Sequence, residues 1–254
     1  MDELCKIWLP ILPKDVFRIL ALKSLANGSE ELWKQLNKDE TFDAFVKGID
    51  RTERIAARGR GFDHDPHKGI KSKGWNNHKE MTERELCASS EAFFGNSFRG
   101  IGTVYDYEVP LDEKKDSARG KIDLLSATDS TVYVLEVKKC ESNELPLRAF
   151  FEVFTFWKSL RDEDGGFGTF LDRYCAQHDL TGRNVVPGVL LCESSAICRA
   201  LLEKKEDDAN VVGLYRRFIR DYGMKVFVYK MGETFNAPIQ VEDHTEESAV
   251  VMNI

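Results

Sequence analysis

The spacing of apolar residues divides the chain into stretches of different character. From about residue 13 to 58 the apolar positions recur at helical intervals: Val16, Ile19, Leu20, Leu22 and Leu25, then Leu32, Trp33 and Leu36. Asn27-Gly28-Ser29 breaks the two runs, with Ser29 placed to cap a second helix ahead of Glu30 and Glu31. A helical hairpin is also the outline of a DNA-reading helix-turn-helix, but this one carries no concentrated basic face, so a plain hairpin is the better reading. Residues 59–80 are rich in Gly, Lys, His and Asp and poor in apolar side chains, which predicts a long loop or linker.

From Thr82 onward helical and alternating patterns succeed one another. Thr82 with Glu85 three residues on forms a capping box, predicting a helix over Thr82–Phe94 with Leu86, Ser90, Phe93 and Phe94 on its buried side. Strands are predicted over Gly102–Val109, Lys121–Ala127 and Thr131–Lys138, a long helix over Leu145–Leu160, a strand over Val185–Cys192, a helix over Ser195–Lys205 and a last strand over Met224–Lys230. Leu147, Phe150, Phe151, Phe154 and Trp157 share one face of the long helix and are expected in the core. Strands alternating with helices predict an α/β protein. The resulting division is a helical region over 1–58, a basic linker over 59–80, an α/β domain over 81–232 and an acidic tail over 233–254.

Composition narrows this further. The 254 residues are 42% hydrophobic and carry a net charge of −7, enough for a large core and the wrong average sign for a protein that coats nucleic acid indiscriminately. The average conceals a local excess: Arg54–Lys79 holds seven Lys and Arg against two Asp, with Arg58, Arg60, Lys71 and Lys73 as candidate phosphate contacts. No apolar run reaches the ~20 residues of a membrane helix, no secretion signal is evident, and six scattered cysteines without a CxxC pair read as reduced thiols. A cytoplasmic protein without membrane contact is the expectation.

The chemistry concentrates between Gly120 and Lys139. If Asp129 and Ser130 are the two turn residues, Thr128 pairs with Thr131, and stepping outward sets Asp123 opposite Glu136. Facing residues lie with their Cβ atoms about 5 Å apart, so two carboxylates meet in an otherwise apolar hairpin. Like charges so placed share a proton, shift a pKa or bind a cation. Period-two alternation puts Lys138 on the face of Glu136, with Leu135 and Val137 opposite. The pattern leaves two readings open: a solvent-facing strand side with a Glu–Lys pair, or a divalent-metal site whose hard oxygen ligands suit Mg²⁺.

The run Ile122-Asp123-Leu124-Leu125, a turn, and Val134-Leu135-Glu136-Val137-Lys138-Lys139 resembles the PD-(D/E)XK nuclease superfamily. The resemblance covers Thr82 to Leu160 and the following strands; Ile122 stands where the family's name-giving Pro would be, and residues before about 80 have no counterpart. It implies a restriction-endonuclease-like mixed β-sheet core flanked by helices, here with an N-terminal helical region. It implies Asp123 and Glu136 as ligands of Mg²⁺, with Mn²⁺ able to substitute, joined by the Val137 carbonyl. Lys138 would steer the attacking water, and Glu83 or Glu85 would complete the metal shell directly or through water. Arg148 is a candidate for the scissile phosphate, and Glu152 stands where many members have Gln. The implied activity is hydrolysis of phosphodiester bonds in nucleic acid, DNA rather than RNA, and by analogy a homodimer that cuts both strands. The competing reading is an inactive nuclease fold serving as a binding or scaffold module.

Two other motifs are weaker. Asp63-His64-Asp65-Pro66-His67 with Asn76-Asn77-His78 has the residue types of a ββα-metal nuclease in too compressed a spacing and without evident flanking strands. Gly165-Gly166-Phe167-Gly168 lacks the strand and Lys of a phosphate-binding loop, and no serine or cysteine sits in a nucleophile elbow.

Overall fold

The computed structural model describes residue 34 and residues 36–51, 81–110, 121–142, 146–160, 175–176, 178–202, 209–232 and 239–245. The helical hairpin around Asn27-Gly28-Ser29, the basic stretch with Arg58, Arg60, Lys71 and Lys73, the His-rich run at 63–78 and the glycines at 165–168 lie outside the described residues.

The described chain is a mixed α/β fold built on a seven-stranded sheet. In order come α1 (Asp39–Arg51), α2 (Glu83–Ala88), β1 (Ser97–Phe98), β2 (Gly102–Pro110), β3 (Lys121–Ala127), β4 (Thr131–Lys138), α3 (Pro146–Ser159), β5 (Asn184–Cys192), α4 (Ala196–Leu202), α5 (Ala209–Arg216), a π-helical turn (Arg217–Asp221), β6 (Lys225–Lys230) and β7 (Gln240–Asp243). The strands lie side by side in chain order. β1 to β4 pair antiparallel, β4, β5 and β6 run parallel, and β7 returns antiparallel on β6. Long crossovers are what parallel pairs require, and α3 and α4–α5 supply them.

Two apolar layers cover the sheet. On one face α3 lays down Leu147, Phe150, Phe151 and Phe154, which pack with Val132, Val134, Val189 and Leu191. Phe42 and Phe45 of α1 join this layer: Phe45 meets Phe151 at 5.2 Å between ring centroids, and Phe218 of the π-helical turn meets Phe154 at the same distance. Such ring pairs each add about 1 kcal/mol to simple burial. On the other face Leu86, Cys87 and Phe93 cover Leu124, Leu135, Val137 and Tyr229. Trp157 closes the end of α3 by donating its indole N–H to Val185 O at 3.0 Å.

Three expectations are corrected. The helix predicted over Thr82–Phe94 stops at Ala88, because Ser89 is extended (φ −74, ψ 124). The amide of Asn96 then takes the carbonyls of Ser90 and Ala92 at 3.0 and 2.8 Å, stabilising a series of turns in which Ser90 is exposed rather than buried. Within residues 233–254, read as an acidic tail, Gln240–Asp243 forms β7, with Val241 turned inward between exposed neighbours. The thiols are not all reduced: Cys140 and Cys192 form a disulfide, while Cys87, Cys175 and Cys198 are buried outside any disulfide. Among the described residues no helix is long and apolar enough to cross a membrane.

Candidate active site

β3 and β4 form the hairpin that the turn arithmetic requires. Thr128 N–H donates to Thr131 O at 2.9 Å around exposed Asp129 and Ser130, and Leu124, Leu125, Ser126 and Ala127 pair in turn with Leu135, Val134, Tyr133 and Val132. The ladder ends there. Beyond the Leu124–Leu135 pair, Asp123 Oδ2 accepts the Val137 N–H at 2.9 Å, so a carboxylate takes the place of a strand carbonyl. That bond anchors Asp123 beside the segment that carries Glu136 and Lys138.

Alternation brings Glu136 and Lys138 to the α3 side of a central strand, where they are only 6% and 4% exposed. A charge so buried is stable only when paired. The Lys138 ammonium lies 2.7 Å from Glu136 Oε1 and 3.4 Å from Glu152 Oε2, and Arg148 Nε donates to Glu152 Oε1 at 3.0 Å. Arg148 and Glu152, one helical turn apart on α3, thus extend the cluster across the helix–sheet junction. Glu152 bridges two cations, a role the Gln common in the resembled family could fill only as a neutral group.

Glu83, at the start of α2, accepts the Lys139 N–H at 3.2 Å and so reaches the chain leaving β4. Glu85 turns back on Thr82, accepting its N–H at 2.9 Å while Thr82 Oγ1 accepts Glu85 N–H at 3.2 Å. Of the two acids offered by the sequence, Glu83 is the one brought to the site and Glu85 caps the helix. Sequence reasoning missed Glu108. It sits between Tyr107 and Val109, which pair with Leu124 and Ile122, and therefore stands across from Asp123. Its φ of +49° is rare for a side-chain-bearing residue and marks a strained position beside the cluster. Lys121 Nζ binds its carboxylate at 2.9 Å. An acidic residue in the strand before the Asp123 strand was the available signal.

Electrostatics follow from this packing. Burial pushes the Asp123 carboxyl up to about 7; Lys138 and the Val137 N–H pull it down, and Glu83 and Glu108 push it up. Burial and the neighbouring Asp123 hold Glu136 well above its ordinary range against the opposing pull of Lys138. Burial alone would lower Lys138, but Glu136, Glu152 and Asp123 outweigh it and keep the ammonium protonated far into alkali. Glu152 goes the other way: despite burial, Lys138 and Arg148 hold it below the usual carboxylate range. At neutral pH the Asp123–Glu136 pair retains proton that ordinary carboxylates would lose.

The donor set suits a small hard cation. Among the described residues no group of three or more His, Cys, Asp or Glu side chains is placed to hold a metal ion. Mg²⁺, however, is commonly bound through one or two carboxylates with water in its other positions. Asp123 and Glu136 offer two carboxylates, both raised first by burial and further by neighbouring acids. Comparison of the chain with models of protein families, with curated proteins and with solved structures finds no match.

Proposed function

We propose that this chain is a metal-dependent nuclease of the PD-(D/E)XK type, with a restriction-endonuclease-like core, that hydrolyses phosphodiester bonds of nucleic acid, DNA in preference to RNA. The observation that carries the reading is the buried Glu136–Lys138 pair on β4 beside Asp123, a costly arrangement that a purely structural strand has no need to keep. The element order supports it: the Glu83 helix, the strand with Asp123, the strand with Glu136 and Lys138, and the helix with Arg148 and Glu152 follow one another as the resemblance implies.

Asp123 and Glu136, with the Val137 carbonyl, would hold Mg²⁺ or Mn²⁺, which when bound supplies Lewis acidity toward a phosphoryl oxygen and an acidified water. The chain's own contribution is positional. Lys138, kept as an ammonium by Glu136, Glu152 and Asp123, cannot act as a base; it orients the nucleophile by donating a hydrogen bond and offsets developing negative charge. Glu152 fixes the Lys138 ammonium from the α3 side and holds Arg148, the candidate phosphate contact, in place on the same helix. Glu83 fixes the exit of β4 through Lys139. Two protomers would pair to cut both strands.

The test is plasmid cleavage with Mg²⁺ or Mn²⁺ by wild type and by Glu136→Ala, alongside calorimetry of metal binding by wild type and Asp123→Asn. Cleavage lost in Glu136→Ala, with a folded variant and metal binding lost in Asp123→Asn, supports the reading. Cleavage at the wild-type rate by Glu136→Ala overturns the mechanism. Absence of metal binding by wild type favours the inactive binding module, a reading to which the neutralisation of Lys138 by two carboxylates also lends weight.

A further inference from the structure

The parallel strands β4, β5 and β6 end side by side at Lys138, Cys192 and Lys230. Beyond those ends lies a cavity of about 530 Å³ whose wall includes Met81, Lys139, Cys140, Cys192, Ser194 and Tyr229. The Cys140–Cys192 disulfide is part of that wall. The last β4–β5 ladder pair is Lys138 with Leu191, so the disulfide clamps the two chains just past the point where backbone pairing stops. Its two sulfurs differ in access: Cys140 is half-buried, whereas Cys192 is 2% exposed. Cys192 Sγ lies 3.4 Å from Ser194 Oγ, and because a disulfide sulfur carries no proton, the hydroxyl is the donor.

The chain leaving β4 is tied at two other points. The Tyr229 hydroxyl donates to Lys138 O at 3.3 Å, and Lys139 N–H donates to Glu83 at 3.2 Å. All three ties fall within three residues that begin at Lys138.

We propose that Cys140–Cys192 is a redox modification site, opened by a small monothiol that enters this cavity, and that opening it loosens the end of β4 carrying Lys138. The thiolate of the monothiol attacks Cys140 Sγ. A new S–S bond forms there as the Cys140–Cys192 bond breaks, and the electron pair leaves on Cys192 Sγ, where the Ser194 hydroxyl donates to it before solvent supplies a proton. A second monothiol attacks its own kind in the mixed disulfide, releasing the small disulfide and a Cys140 thiolate that is protonated in turn. Two electrons pass from two monothiols to the protein. The site itself stands on the cavity and the disulfide; only its effect on cleavage rests on the proposed nuclease function.

The test starts with the full chain in native buffer, treated with millimolar 2-mercaptoethanol, alkylated with iodoacetamide and mapped by peptide mass spectrometry. Cys140 and Cys192 are expected to be alkylated while buried Cys87, Cys175 and Cys198 stay protected. Alkylation of Cys140 and Cys192 only after denaturation, or together with the three buried thiols, overturns the proposal. A Cys192→Ser variant treated with 2-hydroxyethyl disulfide should accumulate a mixed disulfide at Cys140; should that variant not fold, the wild-type mapping decides. Amide hydrogen exchange at Lys138–Ser142 should quicken at least tenfold on reduction, and unchanged exchange removes the link to β4. If exchange quickens and neither redox state cleaves nucleic acid, the redox site stands and the nuclease reading falls.

Discussion

The Asp123 carboxylate accepts the Val137 amide at 2.9 Å one residue past the last β3–β4 ladder pair, so an ionisable side chain stands in for a backbone carbonyl at the entrance to the acidic cluster. Its protonation state therefore bears on both the hairpin and the cluster, and stability should record it.

With the folded-state pKa raised from the ordinary 3.8 to about 7, the folded protein keeps a proton that the unfolded chain has lost between those values. Stability contributed by this group is complete below about pH 4 and is lost as pH rises toward 7. The ceiling is about 4 kcal/mol, lowered by solvent screening because Asp123 is only partly buried. Asp123→Asn lacks the titration, so its denaturation midpoint should gain on wild type between pH 4 and 7 and run parallel above. Parallel curves across the whole range would show that Asp123 ionises normally.

Removing the cation should expose what it neutralises. Lys138→Met leaves Glu136 and Glu152 facing one another in a buried setting, and the loss expected for an uncompensated buried charge is about 3–5 kcal/mol. Because protonation relieves that repulsion, the variant should lose more at pH 8 than at pH 5. Urea unfolding at the two pH values checks this, and an equal loss at both would place the cost in packing rather than charge.

The disulfide carries a thermodynamic expectation of its own. Cys140 and Cys192 are 52 residues apart, and the loop-closure argument assigns such a bridge about 4 kcal/mol. Reducing it, or replacing both residues by Ala, should lower Tm by the order of 10 °C. Calorimetric scans with and without reductant read this directly; coincident scans would mean that β4 and β5 need no clamp.

Gly102 begins β2 at φ +72°, and a Cβ there would fall 1.9 Å from Ala127 O. The atoms in the way are backbone atoms of Ala127 and Thr128, so nothing flexible can yield. Gly102→Ala should therefore cost as much as a core truncation, above about 3 kcal/mol, with the β2–β3 pairing opened. Soluble expression and the near-ultraviolet circular dichroism of the variant are the measurements, and a wild-type spectrum with unchanged stability would contradict the geometry.

The hairpin was legible in the sequence because its signals agree. Lys121–Ala127 and Thr131–Lys138 are short, largely apolar runs rich in strand-forming residues, Asp129 and Ser130 turn, and those bounds are the ones observed. That Glu136 and Lys138 share a face followed from period two alone; their burial as an ion pair did not. Elements whose signals conflict were not legible: β7 places one inward residue, Val241, among Gln240, Glu242 and Asp243, and its strand character comes from pairing with β6. Cys140 and Cys192 carry no spacing motif because they meet through the side-by-side placement of β4 and β5. Glu108 joins the site through a backbone conformation that its residue type disfavours. Each of these depends on tertiary contacts that local pattern does not encode.

The unbroken strand order from β1 to β7 has a consequence for synthesis. As the chain emerges, every strand finds its neighbour already made, and no slot has to be kept open for a strand still to come. The antiparallel β2–β3–β4 unit closes on contacts near in sequence and can assemble early, whereas β5 and β6 wait for their crossover helices. A vectorial order of this kind shortens the time during which an apolar strand edge is bare to other chains, which is when a mixed sheet is most exposed to aggregation.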